Sequence, residues 1–379
     1  MRLVQKGFGL VEIMVGLVVG MLSMMVVLQV FNNAEARKRT VTGGADAQAN
    51  GAIALFTIER DVKMAGWGME AGGYAGCDTL HAYCDMSKDM AKCGGAGALE
   101  TLSFAPLRIY DGGGNPDSIT ISYYADPHIG SFRMPARTTI RKSMPQPSSE
   151  VEVNNTAVCN DGDLMLVSQA GQCTLMQVTQ VQPEASKLQH NPGASGVYNP
   201  PIKYQEDNGW PAYTKGANVS CFKAASNAPV YRKTYSVNTA SSQLERSDNS
   251  QTPAAVNEQV MPDIIDMRAQ YAIAQPNSQV INTWVDATKG SDGVDWGNPS
   301  PADWRRIKAV RVALLARSSQ YERPADPAKG CTATTATQVK DWPAWAGFST
   351  ANLPADWGCY RYKAFETVIP LRNVIWGNL

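Results

Sequence analysis

Residues 13–31 form a nearly unbroken apolar run, with Ser23 and Gln29 as its polar interruptions. Counted from Phe8, the stretch to Phe31 holds 24 residues. As an α-helix it extends about 36 Å at 1.5 Å per residue, enough to cross a hydrocarbon layer of about 30 Å. It is apolar on every side, so it predicts a helix surrounded by lipid or by the packed centre of an assembly. The helical pattern continues to about Met64, with Ile53, Leu55, Phe56, Ile58 and Val62 as the apolar residues of an amphipathic half. Gly43-Gly44 and Gly51 predict weak points in it, because glycine lowers helix stability. Gly66-Trp67-Gly68 predict its end.

After a Gly- and Cys-rich loop over residues 72–97, the period changes to two. Ser118-Ile119-Thr120-Ile121-Ser122-Tyr123 alternates as a strand. Residues 163–167 and 175–179 flank a glycine-containing turn and predict a hairpin. Further strands are expected over 230–237, 267–273 and 365–371. Residues 307–316, the most apolar stretch of the body, read as a buried strand or a helix. The polar stretches 183–218, 238–258 and 275–303 read as loops or insertions. The resulting fold class is α+β: a long N-terminal helix packed on a disulfide-bonded, antiparallel β-rich body with large loop insertions. The expected division is a leader at 1–7, the helix at 8–66 with its apolar part at 8–31, and a globular body at 67–379.

Charge adds little, since 34 basic residues balance 34 acidic ones; no nucleic-acid partner is predicted. Cysteine changes the picture. All eight cysteines follow the apolar helix, and an even count after an export element reads as a disulfide framework in an oxidising compartment. Cys159 with Cys173, and Cys331 with Cys359, are the pairs the spacing suggests; Cys77, Cys84, Cys93 and Cys221 remain to be paired. Arg2 and Lys6 favour a cytoplasmic N-terminus, whereas Arg37-Lys38-Arg39 pull the other way. The cysteines decide the orientation, with the body outside the cytoplasm.

The head of the apolar helix carries one acid, Glu12. An isolated charge there costs roughly 2.5–3.5 kcal/mol on insertion scales, so it calls for a purpose. An ordinary secretory signal is cleaved after its apolar core. Here Gly7 offers a cleavage point before the core, which would keep the helix on the mature chain and create a new amine on Phe8.

Gly7-Phe8-Gly9-Leu10-Val11-Glu12 resembles the class III signal of type IV pilins and type II secretion pseudopilins. The resemblance implies that a prepilin peptidase cuts after Gly7 and methylates Phe8, and that Glu12 pairs with the Phe8 amine of a neighbouring subunit during assembly. Many major pilins carry a proline farther along this helix, where Gln29 stands here. The body is similar to the PilW family of minor pilins. The similarity lies in Glu59-Arg60-Asp61-Val62-Lys63-Met64-Ala65-Gly66, Gly162-Asp163-Leu164-Met165-Leu166-Val167 and Cys173-Thr174-Leu175-Met176-Gln177-Val178-Thr179. It continues in Asp266-Met267-Arg268-Ala269-Gln270-Tyr271, in residues 309–318 and in Val368-Ile369-Pro370-Leu371-Arg372-Asn373. It implies a minor pilin held by residues 8–31 in the inner membrane and later found at the surface pilus tip. The implied partners are other minor pilins, the major pilin, a tip adhesin, the peptidase and the inner-membrane assembly platform. A type II secretion pseudopilin shares the signal, and an anchored periplasmic glycan-binding protein or enzyme is a third reading.

Enzymatic chemistry is sparse. There are three histidines, His81, His128 and His190, and no G-x-S-x-G, Walker or H-E-x-x-H motif. No catalytic residue and no cofactor is predicted. Cys77, His81, Cys84 and Cys93 contain no C-x-x-C. Asp286, Asp292 and Asp295 share a Gly-containing loop and are the candidates for calcium, at a spacing unlike an EF-hand. Trp342 and Trp345, and Trp296 and Trp304, read as core or subunit contacts, with sugar stacking as the alternative if exposed.

Overall fold

The structure is a computed structural model that describes residues 9–67, 77, 79–89, 93, 105–123, 136–191, 196–223, 231–248, 257–324, 328 and 330–376. One helix, α1 (Leu10–Val62), runs without a break for 53 residues. It ends near Gly66, whose φ of 74° turns the chain as few other residues can. Its buried positions are Gly43, Ala47, Gly51, Ala54, Ile58, Asp61 and Val62, a stripe at spacings of mostly three and four.

This stripe keeps Ile58 and Val62 of the expected docking face and corrects the rest. Ile53 and Phe56 point outward, 51% and 65% exposed, while the upper half of the seam is glycine and alanine. The reason is close approach. A Cβ at Gly51 would collide with the Phe365 ring, and one at Gly43 would lie 3.3 Å from Ser318 Cβ. These glycines are therefore contact points rather than weak points. Replacing Gly51 with Leu is expected to destabilise the folded chain by about 1–3 kcal/mol or more through overpacking, read as a lower denaturation midpoint of the detergent-solubilised protein. An unchanged midpoint would mean that the helix does not seat on Phe365.

Seventeen strands follow among the described residues. They are β1 (Thr79–His81), β2 (Leu107–Tyr110), β3 (Ser118–Tyr123), β4 (Ala136–Thr139), β5 (Val151–Glu152), β6 (Leu164–Gln169), β7 (Gln172–Gln177), β8 (Gln180–Gln182) and β9 (Lys187–Gln189). The series continues with β10 (Asn218–Phe222), β11 (Tyr231–Asn238), β12 (Gln243–Asp248), β13 (Glu258–Pro262), β14 (Ile264–Ala274), β15 (Ile281–Val285), β16 (Ile307–Arg317) and β17 (Tyr362–Pro370).

Two antiparallel sheets and α1 enclose the first core. One sheet has the order β13-β12-β11-β3-β2 and the other β15-β14-β16-β17. Tyr235, Ile119, Ile121, Tyr271, Val310, Leu314 and Ile58 meet between them. The stretch 307–316, strand or helix by sequence, is strand β16. It is buried along nearly its whole length, and its ladders to β14 and β17 account for the absence of alternation. The stretch 238–258, read as a loop, contains β12. Of its residues Leu244 and Glu245 are buried, too few to reveal a strand by period.

A second group of strands has its own core. A sheet of order β1-β7-β6-β10-β4 and a small one of order β5-β9-β8 bury Met165, Val167, Met176 and Val219 on one side, and Leu164, Leu166, Leu175 and Phe222 on the other. The predicted hairpin is β6–β7, turning at Ala170 and Gly171 with φ of 50° and 78°, the two positive values of a tight primed turn. Most of this lobe lies between β3 and β11. Those two strands pair directly, with Tyr123 opposite Tyr231 and their rings stacked at 5.7 Å. The chain thus leaves one strand, builds a lobe and returns to the neighbouring strand. It does so at the end of the first core where α1 stops, since Gly66 N–H donates to the Ser122 carbonyl at 2.9 Å.

The disulfides follow this division. They join Cys77–Cys173, Cys84–Cys93, Cys159–Cys221 and Cys331–Cys359. The pairing of Cys159 with Cys173 suggested by spacing is therefore wrong. Cys173 lies in the cluster on one side of the β6–β7 sheet, with Cys77, while Cys159 and Cys221 lie in the cluster on the other. Sequence distance does not reveal that the sheet separates them. Cys331–Cys359 is the pair its spacing suggested.

Candidate functional site

The helix head is the first part of the site. Gly7 and Phe8 lie outside the described residues. Glu12 is described: its Oε2 accepts from the Gly9 backbone N–H at 2.9 Å, so the acid reaches back over the first turn of α1 and binds one of its open donors. No residue of the apolar segment, Leu10–Glu35, is buried inside the molecule. Every large apolar side chain along it, from Leu10 to Phe31, is more than half exposed. The exposed surface continues along the outer face of the second half. Val41, Thr42, Ala45, Gln48, Ala49, Ala52, Ile53 and Phe56 are exposed and uncharged. The inner stripe of α1 is thus occupied by its own body; on the outer face Gln48, at its edge, accepts from Lys363 Nζ at 2.7 Å, while Val41, Ile53 and Phe56 stay exposed.

The second part fixes that helix to the body. Asp61 sits on the buried stripe, 3% exposed. Its Oδ2 accepts from Tyr235 Oη at 2.7 Å and lies 3.4 Å from Lys233 Nζ and 3.9 Å from Arg246. Lys233 is itself buried and lies over the Tyr123 ring at 5.9 Å, while Arg246 continues to Glu258 at 2.7 Å. Burial, and then the Asp61 charge, raise the Tyr235 hydroxyl pKa well above its ordinary value. A buried carboxylate of this kind is tolerated because its countercharges converge on it. The cluster was missed as a site. Its signal was an acid, Asp61, three residues beyond Ile58 and next to Val62, where helical spacing requires burial.

A second buried acid braces the two sheets. Asp117 accepts from the amides of Gly112 and Ala269, each at 2.9 Å. Burial outweighs those bonds and nearby Arg268, and pushes its pKa up to about 6.

The remaining candidates fall away from one another. Asp286 accepts from Gln270 Nε2 at 2.6 Å. Asp292 accepts from the Val294 amide and Asp295 from the Gly297 amide, which spends both on local turns. The three carboxylates do not gather, and among the described residues no cluster of metal-binding side chains occurs. Cys77, Cys84 and Cys93 are taken by disulfides, and His81 bonds Gln172 at 3.0 Å. His190 is buried against the Ser149 carbonyl at 2.7 Å; His128 lies outside the described residues. Trp296, Trp304 and Trp342 are buried. Trp345 donates to Glu366 at 2.8 Å and stacks with Trp284 around the Arg311 guanidinium, at 4.2 and 4.7 Å. The tryptophans of this region therefore latch the 331–359 loop to the sheet.

Comparison with known proteins agrees with this picture in one region. Among curated proteins none matches the sequence. Of solved structures, a type IV-like pilin from Thermus thermophilus is similar at 16% identity. The match covers 38% of this chain and 69% of that one, with a TM-score of 0.22. A family model, type IV pilus-assembly protein W or PilW, matches residues 233–373. That span begins within β11 and passes through β17, so it takes in the sheet that receives α1. The stretches at 59–66, 162–167 and 173–179 that also resemble the family lie outside it. Over residues 233–373, then, the chain is similar to the PilW family of type IV pilus-assembly proteins.

Proposed function

We propose that this protein is a minor pilin of a type IV pilus, inserted in the filament by α1. The observation that carries the reading is the join of a PilW-family body to a helix whose inner stripe it covers and whose outer, uncharged stripe it leaves open. In this reading residues 1–7 are a leader, residues 8–66 form the assembly helix and the remainder is the body. The leader is cut after Gly7, and Phe8 gains a methyl group on its amine. Until assembly, residues 8–31 hold the chain in the inner membrane with the body on the oxidising side, where the four disulfides form. Assembly moves the helix from lipid into a bundle of helices. Glu12 exchanges its bond to the Gly9 amide for the charged Phe8 amine of a neighbour, and an unpaired acid in that setting is strongly penalised. A body of this size suits sparse use, in a priming complex at the tip with other minor pilins and an adhesin, above the major subunit.

Intact-mass analysis of sheared surface filaments tests the reading. The expected species is the chain beginning at monomethylated Phe8, with all cysteines oxidised. Filaments lacking the chain, or carrying it with Met1 in place, would overturn it. Loss of protein secretion rather than of pili on deletion would transfer it to the pseudopilin class.

A further inference from the structure

We infer that β17 is an acceptor edge, which takes an extended strand from a different polypeptide chain by backbone pairing. The inference starts from the direction of its amides. Ser318 N–H donates to the Arg361 carbonyl at 2.8 Å, and Leu371 N–H to the Lys308 carbonyl at 2.9 Å. In the register of the β16–β17 ladder these bonds fix the phase: odd-numbered residues of β17 bond β16, and even-numbered ones face away. β17 is the last strand of its sheet. Its outer edge is closed at both ends. Tyr362 N–H donates to Thr334 Oγ1 at 3.1 Å, and Pro370 has no N–H to offer. Between them Ala364, Glu366 and Val368 turn their N–H and C=O groups outward. Among the described residues none of these groups has a hydrogen-bond partner. Glu366 and Val368 are exposed and Ala364 is half-buried, so the edge is open to an incoming chain.

An edge strand is ordinarily blunted by a bulge, a charge or a cover. β17 pairs through nine consecutive residues without a bulge. By contrast β15, at the opposite edge, and β13, at the edge of the other sheet, pair through bulged ladders. The two charged side chains of β17 are drawn onto its faces, Lys363 to Gln48 of α1 at 2.7 Å and Glu366 to Trp345 at 2.8 Å. What remains is a regular backbone row. The group that satisfies such a row is another backbone in extended form, over about five residues. Cross-strand pairing favours a partner with an apolar residue next to Val368 and a basic one next to Glu366. A second copy of this chain does not fit. α1 runs beside β17 in the same direction, with Gly44 by Arg361, Gly51 on Phe365, and the Lys63 and Ala65 carbonyls at Asn373. Two-fold pairing of β17 with itself is antiparallel and would set two α1 helices antiparallel. Two chains anchored from one side of a membrane cannot adopt that arrangement. This exclusion rests on reading residues 8–31 as the membrane span.

The test is hydrogen–deuterium exchange of the full chain, compared between the envelope of the cells that make it, filaments included, and the detergent-purified protein. In the purified chain the odd-numbered amides of β17 should be protected, and those of Ala364, Glu366 and Val368 should exchange fast. In the envelope those three are expected to exchange about tenfold more slowly or slower still. Val368→Pro removes an outward donor and leaves the ladder to β16 in place. It should restore fast exchange at Ala364 and Glu366 in the envelope, whereas Val368→Thr, which keeps the N–H, should not. Equal exchange in both preparations, or protection that survives Val368→Pro, would overturn the acceptor edge. Should Val368→Pro loosen the odd-numbered amides of the purified chain, the two preparations of the unsubstituted chain decide alone. Sedimentation of the purified chain as a dimer that Val368→Pro dissolves would make the occupant a second copy and also overturn the assignment. Carbonate extraction reports the membrane span separately. Release of the chain defeats that parent reading, while retention without protection of β17 defeats only this one.

Discussion

Glu12→Ala is expected to lower the amount of this chain in sheared filaments more than tenfold while leaving its cleavage and membrane insertion unchanged. The acid lies in the first turn of α1, with the Gly9 amide as its described partner. Ala removes both that cap and the charge, so it cannot by itself separate a local role from an intersubunit one. Glu12→Gln can. The amide oxygen of Gln still accepts from Gly9, which preserves the start of the helix, but it offers no charge to a neighbour's amine. If pairing between subunits drives incorporation, Gln fails as Ala does, because truncating one side of a desolvated pair costs about 3–5 kcal/mol. Quantitative immunoblots of filament and membrane fractions read both variants. Normal incorporation of Glu12→Gln would reduce Glu12 to a helix cap.

Asp61→Ala is expected to destabilise the folded chain by about 3–5 kcal/mol. It leaves buried Lys233 without its anion and Tyr235 without its acceptor. Asp61→Asn keeps an acceptor for Tyr235 and loses the charge, so it should fall between Ala and wild type. Denaturant unfolding of the solubilised chain gives the ranking. Because the acid belongs to α1 and its partners to β11 and β12, the loss should also expose the second half of the helix, seen as new protease cleavage within residues 43–62. A cost below about 1 kcal/mol, the range of an exposed pair, would show that the cluster does not fasten the helix.

The long helix, the α+β class and the main strands were legible because their periodicities are strong. Residues 118–123 alternate, and the 163–179 hairpin has its glycine where the turn requires positive φ. The docking face of α1 was legible only in part: Ile58 and Val62 do face the body, and Leu55 packs against it. Hydrophobicity pointed to Ile53 and Phe56, yet the body takes the side of Gly43, Ala47, Gly51 and Ala54, since the distance to Phe365 excludes larger side chains. Apolar residues on both sides of one helix are ambiguous until it is known which side faces its own chain. The Asp61 cluster was hidden for the related reason that its four members come from three elements. The disulfide pattern depended on which side of a sheet each cysteine faces, which spacing does not encode. Glu12 stood out because a charge among apolar residues needs no tertiary information to be noticed.

The stacked Tyr123 and Tyr231 mark where the chain departs for its extra lobe and where it comes home, side by side on adjoining strands. That doorway opens away from the lipid-facing pole, and three of the four cross-links keep the annex closed upon itself. On the minor-pilin reading proposed above, changes within the annex leave the outer stripe of α1 untouched, so the far pole is open to diversification while the helix is not; β1 and Cys77, from the stretch between α1 and β2, tie the annex to the rest.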